Sequence, residues 1–76
     1  MNIEQNETPL SVTIITLGYR ARCTVAGCGN LGRVILRHAD AGGRPMTNAE
    51  FCNAHGRARI ERDRAAGVRV YDDREA

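Results

Sequence analysis

The apolar positions of this chain change period along its length, and the changes mark its elements. Residues 10–17, Leu-Ser-Val-Thr-Ile-Ile-Thr-Leu, are rich in β-branched side chains and partly alternate with polar ones, which predicts a strand. Gly18 permits a bend, and residues 19–22 continue in extended form. Gly29-Asn30-Leu31-Gly32 is turn chemistry. Arg33-Val34-Ile35-Leu36-Arg37-His38 then predicts a second strand with Val34, Leu36 and His38 on one face and Arg33, Ile35 and Arg37 on the other. Asp40-Ala41-Gly42-Gly43 closes a hairpin, and Pro45 marks residues 44–46 as a short return strand at an edge.

The period then becomes helical. Thr47-Asn48-Ala49-Glu50 has the form of a capping box, in which the hydroxyl and the carboxylate satisfy reciprocal backbone donors, so a helix is expected to begin near Asn48. Cys52 is the alternative start. Residues 57–66, Arg-Ala-Arg-Ile-Glu-Arg-Asp-Arg-Ala-Ala, continue the helix to Gly67, a suitable residue just past its end. Gly56 inside it costs about 1 kcal/mol relative to alanine, which is reasonable where backbone must come close to the cysteine and histidine that precede it. Val68-Arg69-Val70-Tyr71 is a last short strand expected to pair with residues 10–17. Residues 1–9 are polar and end at Pro9, a flexible lead-in; residues 10–71 form one domain; residues 72–76 are an acidic tail.

Length changes how that pattern must be read. A chain of 76 residues buries little surface, and its aromatic residues are only Tyr19, Phe51 and Tyr71. A domain of this size ordinarily needs a staple. The three cysteines supply one. Cys23 and Cys28 form a C-x4-C pair, and after 23 residues Cys52 and His55 form C-x2-H. Thiolates and imidazole in two local pairs are a four-ligand zinc pattern, with Cys23, Cys28, Cys52 and His55 as the metal ligands. Gly27 before the second cysteine suits a tight knuckle, and on a helix Cys52 and His55 at i and i+3 share one face. His38 is the alternative fourth ligand, and otherwise a partly exposed polar residue on its strand. An odd cysteine count argues against a disulfide framework. The polar first residues have no positive region and no run is long enough to span a bilayer, so the expectation is a cytoplasmic protein with reduced thiols and no membrane association.

A knuckle pair, a hairpin and a helix that delivers the second pair resemble a treble-clef zinc finger, here with an added N-terminal strand. The resemblance covers residues 23–66 and rests on Cys23, Cys28, Cys52, His55 and the order of elements; the first pair is wider than the usual C-x2-C. It implies a small zinc-stapled α+β domain, in a group that includes nucleic-acid binders, nucleases, ribosomal parts and adaptors. Small arginine-rich proteins of this kind resemble accessory proteins of high-G+C bacteria and their phages.

Charge decides among those uses. All eleven basic residues are arginine, and residues 20–69 hold ten of them against Asp40, Glu50, Glu61 and Asp63, a net +6, while the segments on either side each carry −2. A basic body fits an anionic partner. Arg57, Arg59, Arg62 and Arg64 on the helix, with Arg33, Arg37 and Arg44 on the hairpin, are the candidate nucleic-acid contacts, with regulation as one use of such binding. Pairings of Arg57 with Glu61, Arg59 with Asp63 and Glu61 with Arg64 would neutralise part of that charge. No aromatic platform for stacking bases is evident in the sequence. The alternative is a module that docks on a larger cytoplasmic machine, using an exposed edge at residues 10–17 for strand addition. A third use, an HNH-like nuclease, would need His38 as general base, Asn48 as positioning residue and His55 on a catalytic metal. A closed four-ligand site leaves no open position for that chemistry, so the expected protein binds rather than catalyses, and no small-molecule substrate is inferred.

Overall fold

The computed structural model describes residues 9–74, in the order β1 (Ser11–Thr16), β2 (Val34–Ala39), β3 (Pro45–Phe51), α1 (Asn53–Ala65) and β4 (Arg69–Asp72). The four strands form one sheet in the order β3-β2-β1-β4. β2 lies antiparallel to both β1 and β3, whereas β4 runs parallel to β1. The chain must therefore cross from one edge of the sheet to the other between β3 and β4. A helix of 13 residues does this: it spans about 20 Å, more than the roughly 14 Å between the outer strands of a four-stranded sheet.

Alternation fixes which side the helix covers. Register places Val12 opposite His38, Ile14 opposite Leu36 and Val34 opposite Phe51, and these residues form the inner face. Val12, Ile14, Val34, Leu36 and Val68 make the core, with Phe51, Ile60 and Val70 packed against it. Val12 and Leu36 are wholly buried. The first two expected strands are present, the second with the faces read from its alternation, and residues 69–72 pair with β1 as expected.

β1 itself is not an edge. β2 flanks it along its length and β4 along Ser11–Ile14, so over Ser11–Ile14 it is not the exposed edge that the alternation suggests. The capping box at Thr47 to Glu50 does not form either. Those residues belong to β3, which is seven residues long. The pairing of Ala49 with Leu36 and Phe51 with Val34 outweighs the local cap, and the helix starts at the alternative position, with Cys52 as its N-cap.

α1 is attached mainly by other means than apolar packing. Its inner stripe holds Gly56 and Asp63, both buried, with Arg59 and Ile60 half-buried between them. His38, expected to be a partly exposed polar residue, is 4% exposed and shares a 2.7 Å hydrogen bond between its Nε2 and the Asp63 Oδ2. Arg59 Nε donates to the other oxygen of Asp63 at 3.2 Å. At the far end Val68 N–H donates to the Asp63 carbonyl and Gly67 N–H to that of Arg64, with Gly67 at φ +88°. This double closure is a Schellman ending, and glycine carries its left-handed residue without Cβ strain.

Gly56 has a different reason from the one its place beside the ligands implies. A Cβ there would stand 3.0 Å from Val34 Cγ2 and 3.5 Å from the Phe51 Cβ, so the close approach is to the sheet. Gly56→Ala is expected to lower stability by about 1 kcal/mol, because overpacking against a buried branched side chain outweighs the helix propensity gained. Urea unfolding of the metal-loaded protein checks this; a rise in stability would contradict it. Asp72 lies within β4, and Arg74 folds back on it through Nη2 at 2.6 Å from the Asp72 Oδ2. The lead-in at residues 1–8 and the tail at residues 75–76 lie outside the described residues. Among the described residues, no helix is long and apolar enough to cross a membrane.

Candidate metal centre

Two separate pieces of backbone deliver the four donors. The first is a loop between β1 and β2, closed by a bridge between Arg22 and Leu31. Within it Cys23 N–H donates to the Asn30 carbonyl and Cys28 N–H to that of Val25. Gly27 at φ +80° and Gly29 at φ +76° turn the chain on either side of Cys28. Left-handed backbone of this kind is glycine's territory. The loop is fastened to the end of β3: Thr24 donates to the Glu50 carbonyl through both N–H and hydroxyl, and Arg33 N–H donates to the Phe51 carbonyl.

The second piece is the start of α1. Cys52 is the extended N-cap, at φ −70° and ψ 170°, and its sulfur accepts from His55 N–H at 3.4 Å. Cysteine here replaces the usual oxygen cap, and no acidic side chain lies in the first turn. The positive end of the helix therefore favours a thiolate at Cys52. The His55 backbone hydrogen bond accordingly holds the Cys52 thiol down to about 6, against the opposing effect of burial. Cys28 moves the other way: a hydrogen bond from the Asn30 backbone lowers its pKa, but burial and the neighbouring Cys52 and Cys23 thiols together raise it.

The four donor atoms lie within 4.8 Å of one another. Cys28 Sγ is 3.8 Å from Cys52 Sγ, and the His55 Nδ1 is 3.6 Å from Cys23 Sγ and 3.4 Å from Cys52 Sγ. These distances test whether a tetrahedral ion fits. With metal–sulfur bonds of about 2.3 Å and metal–nitrogen bonds of 2.0–2.1 Å, tetrahedral angles put two sulfurs about 3.8 Å apart and sulfur about 3.5 Å from nitrogen. The Cys28–Cys52, Cys23–His55 and Cys52–His55 separations match. The same 3.8 Å excludes a disulfide, whose sulfurs stand about 2.0 Å apart, and all three cysteines are free. Cys23 and Cys52 are buried, while Cys28 and His55 are half-buried.

His38 lies on β2 against Asp63, outside this group. Asn48, opposite Arg37 in the register, is on the outer face of the sheet and accepts from Arg37 Nε at 3.2 Å, whereas His38 is on the inner face. The nuclease constellation of His38, Asn48 and His55 is therefore not brought together.

The seven candidate arginines do not share one surface. Arg57, Arg62 and Arg64 are exposed on α1, Arg33 and Arg44 are exposed beside the hairpin, and Arg37 is on the outer face of the sheet. Arg59 is half-buried and committed to Asp63. Among the described residues the ion pairs are His38–Asp63, Arg59–Asp63 and Asp72–Arg74, so the expected pairings of Glu61 with Arg57 and Arg64 are not made. The His38–Asp63 pair went unread in the sequence, although a histidine in phase with Val34 and Leu36 was the signal for it. No protein-family model, curated protein or solved structure matches this chain.

Proposed function

We propose that this protein is a non-catalytic zinc-binding module of treble-clef type whose arginine-rich body binds nucleic acid. The observation that carries the zinc assignment is the convergence of the Cys23, Cys28, Cys52 and His55 donors within 4.8 Å of one another, with Cys28–Cys52, Cys23–His55 and Cys52–His55 at tetrahedral separations. Three thiolates and an imidazole are a soft donor set suited to zinc, and four protein ligands close the coordination shell, which favours a structural over a catalytic role. Zinc bound there would tie the knuckle loop to the start of α1. Knuckle, hairpin and helix around those donors follow the treble-clef order, with β1 and β4 added. Thiolates available for metal fit the cytoplasm.

Nucleic-acid binding is supported by the net +6 of residues 20–69 and by exposed arginines on α1 that have no carboxylate partner among the described residues. Such a surface neutralises phosphates and releases counterions, so affinity falls steeply with salt. Fluorescence anisotropy with labelled duplex and single-stranded oligonucleotides tests this. Binding whose log affinity declines linearly with log salt is the expected result. Indifference to both oligonucleotides at low salt would refute it.

A further inference from the structure

Among the described residues a single helix covers one face of the sheet and leaves the other open, and the open face is unusual in what it displays. Register sets Thr13 beside both Tyr71 and Arg37, and Arg37 beside Asn48, so these four residues form one row across all four strands. In the adjoining row Arg69 is opposite Ser11, which is opposite Ala39. Ser11, Thr13 and Ala39 thus floor one end of the middle of the face with small side chains, and the half-buried Ile15–Ile35 pair floors the other. Tyr71 stands at one edge, half exposed. Arg37 and Arg69 are exposed and have no carboxylate partner among the described residues. The Arg37 guanidinium is steadied by its hydrogen bond to Asn48.

A second aromatic ring is tethered at the opposite edge. Tyr19 is 57% exposed, yet its hydroxyl donates to the Glu50 Oε2 at 2.7 Å, and Glu50 is opposite Ile35 on this same face. An exposed tyrosine would ordinarily remain free to rotate. Holding it costs side-chain entropy, and the result is an aromatic surface already fixed in place.

We infer that the sheet face opposite α1 is a platform for single-stranded nucleic acid, with Tyr71 and Tyr19 stacking bases and Arg37 and Arg69 contacting the phosphates between. This deepens the nucleic-acid reading and rests on it. Stacked bases need aromatic faces beside a cationic track for the backbone, and any base can supply a π-face. A paired duplex hides those faces. Protein interfaces bury an apolar centre depleted of charge; here the half-buried Ile15–Ile35 pair adjoins a row that carries the exposed Arg37.

The test measures the affinities of wild type and variants for labelled RNA and DNA single strands of about 12 nucleotides, within the span of known single-strand sites, and for a duplex. Wild type is expected to prefer single strands. Tyr71→Ala should lower single-strand affinity about five- to a hundredfold, as expected from the loss of one stacked base, and Tyr71→Phe should retain it. Arg37→Ala should reduce the salt slope by about 0.7, the value for one phosphate contact on a single strand. Joint Arg57→Ala, Arg62→Ala and Arg64→Ala should weaken both substrates together and leave the preference intact. Metal content and circular dichroism of each variant show that its fold is retained. A wild-type preference for duplex, or single-strand affinity unmoved by Tyr71→Ala, overturns the platform and leaves the nucleic-acid reading standing. No binding of either substrate at low salt overturns both.

Discussion

Chelating the metal, or replacing Cys52 with serine or alanine, is expected to abolish the cooperative fold. Among the described residues five core side chains are aliphatic and buried, too few to hold a chain of this size by themselves. A structural zinc contributes on the order of 10–16 kcal/mol of apparent binding free energy, which becomes folding free energy when the apo site is not preformed. That exceeds the whole stability of most small domains. The knuckle loop between β1 and β2 and the N-terminus of α1 share the four donors, so metal loss should release both ends of the hairpin. Cys52 also caps α1, and the lost cap would account for only about 1 kcal/mol. Serine keeps a capping oxygen but weakens the ligand set. If Cys52→Ser unfolds as fully as Cys52→Ala, the metal is the cause. Amide chemical-shift dispersion by NMR, with chelator and then with added zinc, is the readout. Dispersion should vanish and return; a spectrum unchanged by chelation would contradict the account.

The second large effect belongs to a pair with no part in the metal site. His38 and Asp63 are both about 95% buried, at 4% and 5% exposure, and they join β2 to α1 through a 2.7 Å hydrogen bond. Removing one partner leaves the other buried without its main bond, a loss of about 3 kcal/mol. His38→Ala and Asp63→Ala should each destabilise by about that amount while metal stoichiometry stays at wild type. The double variant should cost much less than the sum, since the pair acts as a unit. Arg59→Ala should cost under about 1 kcal/mol, because its side chain is one-third exposed and solvent screens the contact. Urea unfolding of zinc-loaded protein provides the numbers. Additive losses would show that the two residues act separately.

Much of this architecture was legible in local pattern. The strand at residues 11–16 and the inner phase of Val34, Leu36 and His38 follow from alternation, and the donor set follows from ligand spacing. What local pattern missed depends on pairing between distant residues. Thr47 to Glu50 has the letters of a helix cap, yet its cross-strand partners are Arg37, Leu36 and neighbours on β2, and they extend it. Gly56 reads as a helix weakness until Val34 is seen 3.0 Å from where its side chain would be. Asp63 looks like half of a surface i,i+4 pair with Arg59, because nothing local shows that its carboxylate points inward to His38. Alternation puts Arg37 on the face opposite Val34, Leu36 and His38, but nothing local shows that α1, which carries Arg57, Arg62 and Arg64, packs on the other side of the sheet.

Metal content by native mass spectrometry, under mild chelator competition, tests the central claim most directly. Wild type, His55→Ala and His38→Ala are the three samples. One zinc ion in wild type, lost on His55→Ala and kept on His38→Ala, is the predicted result. Zinc that survives His55→Ala and leaves with His38→Ala would contradict both the ligand set and the role given to the start of α1.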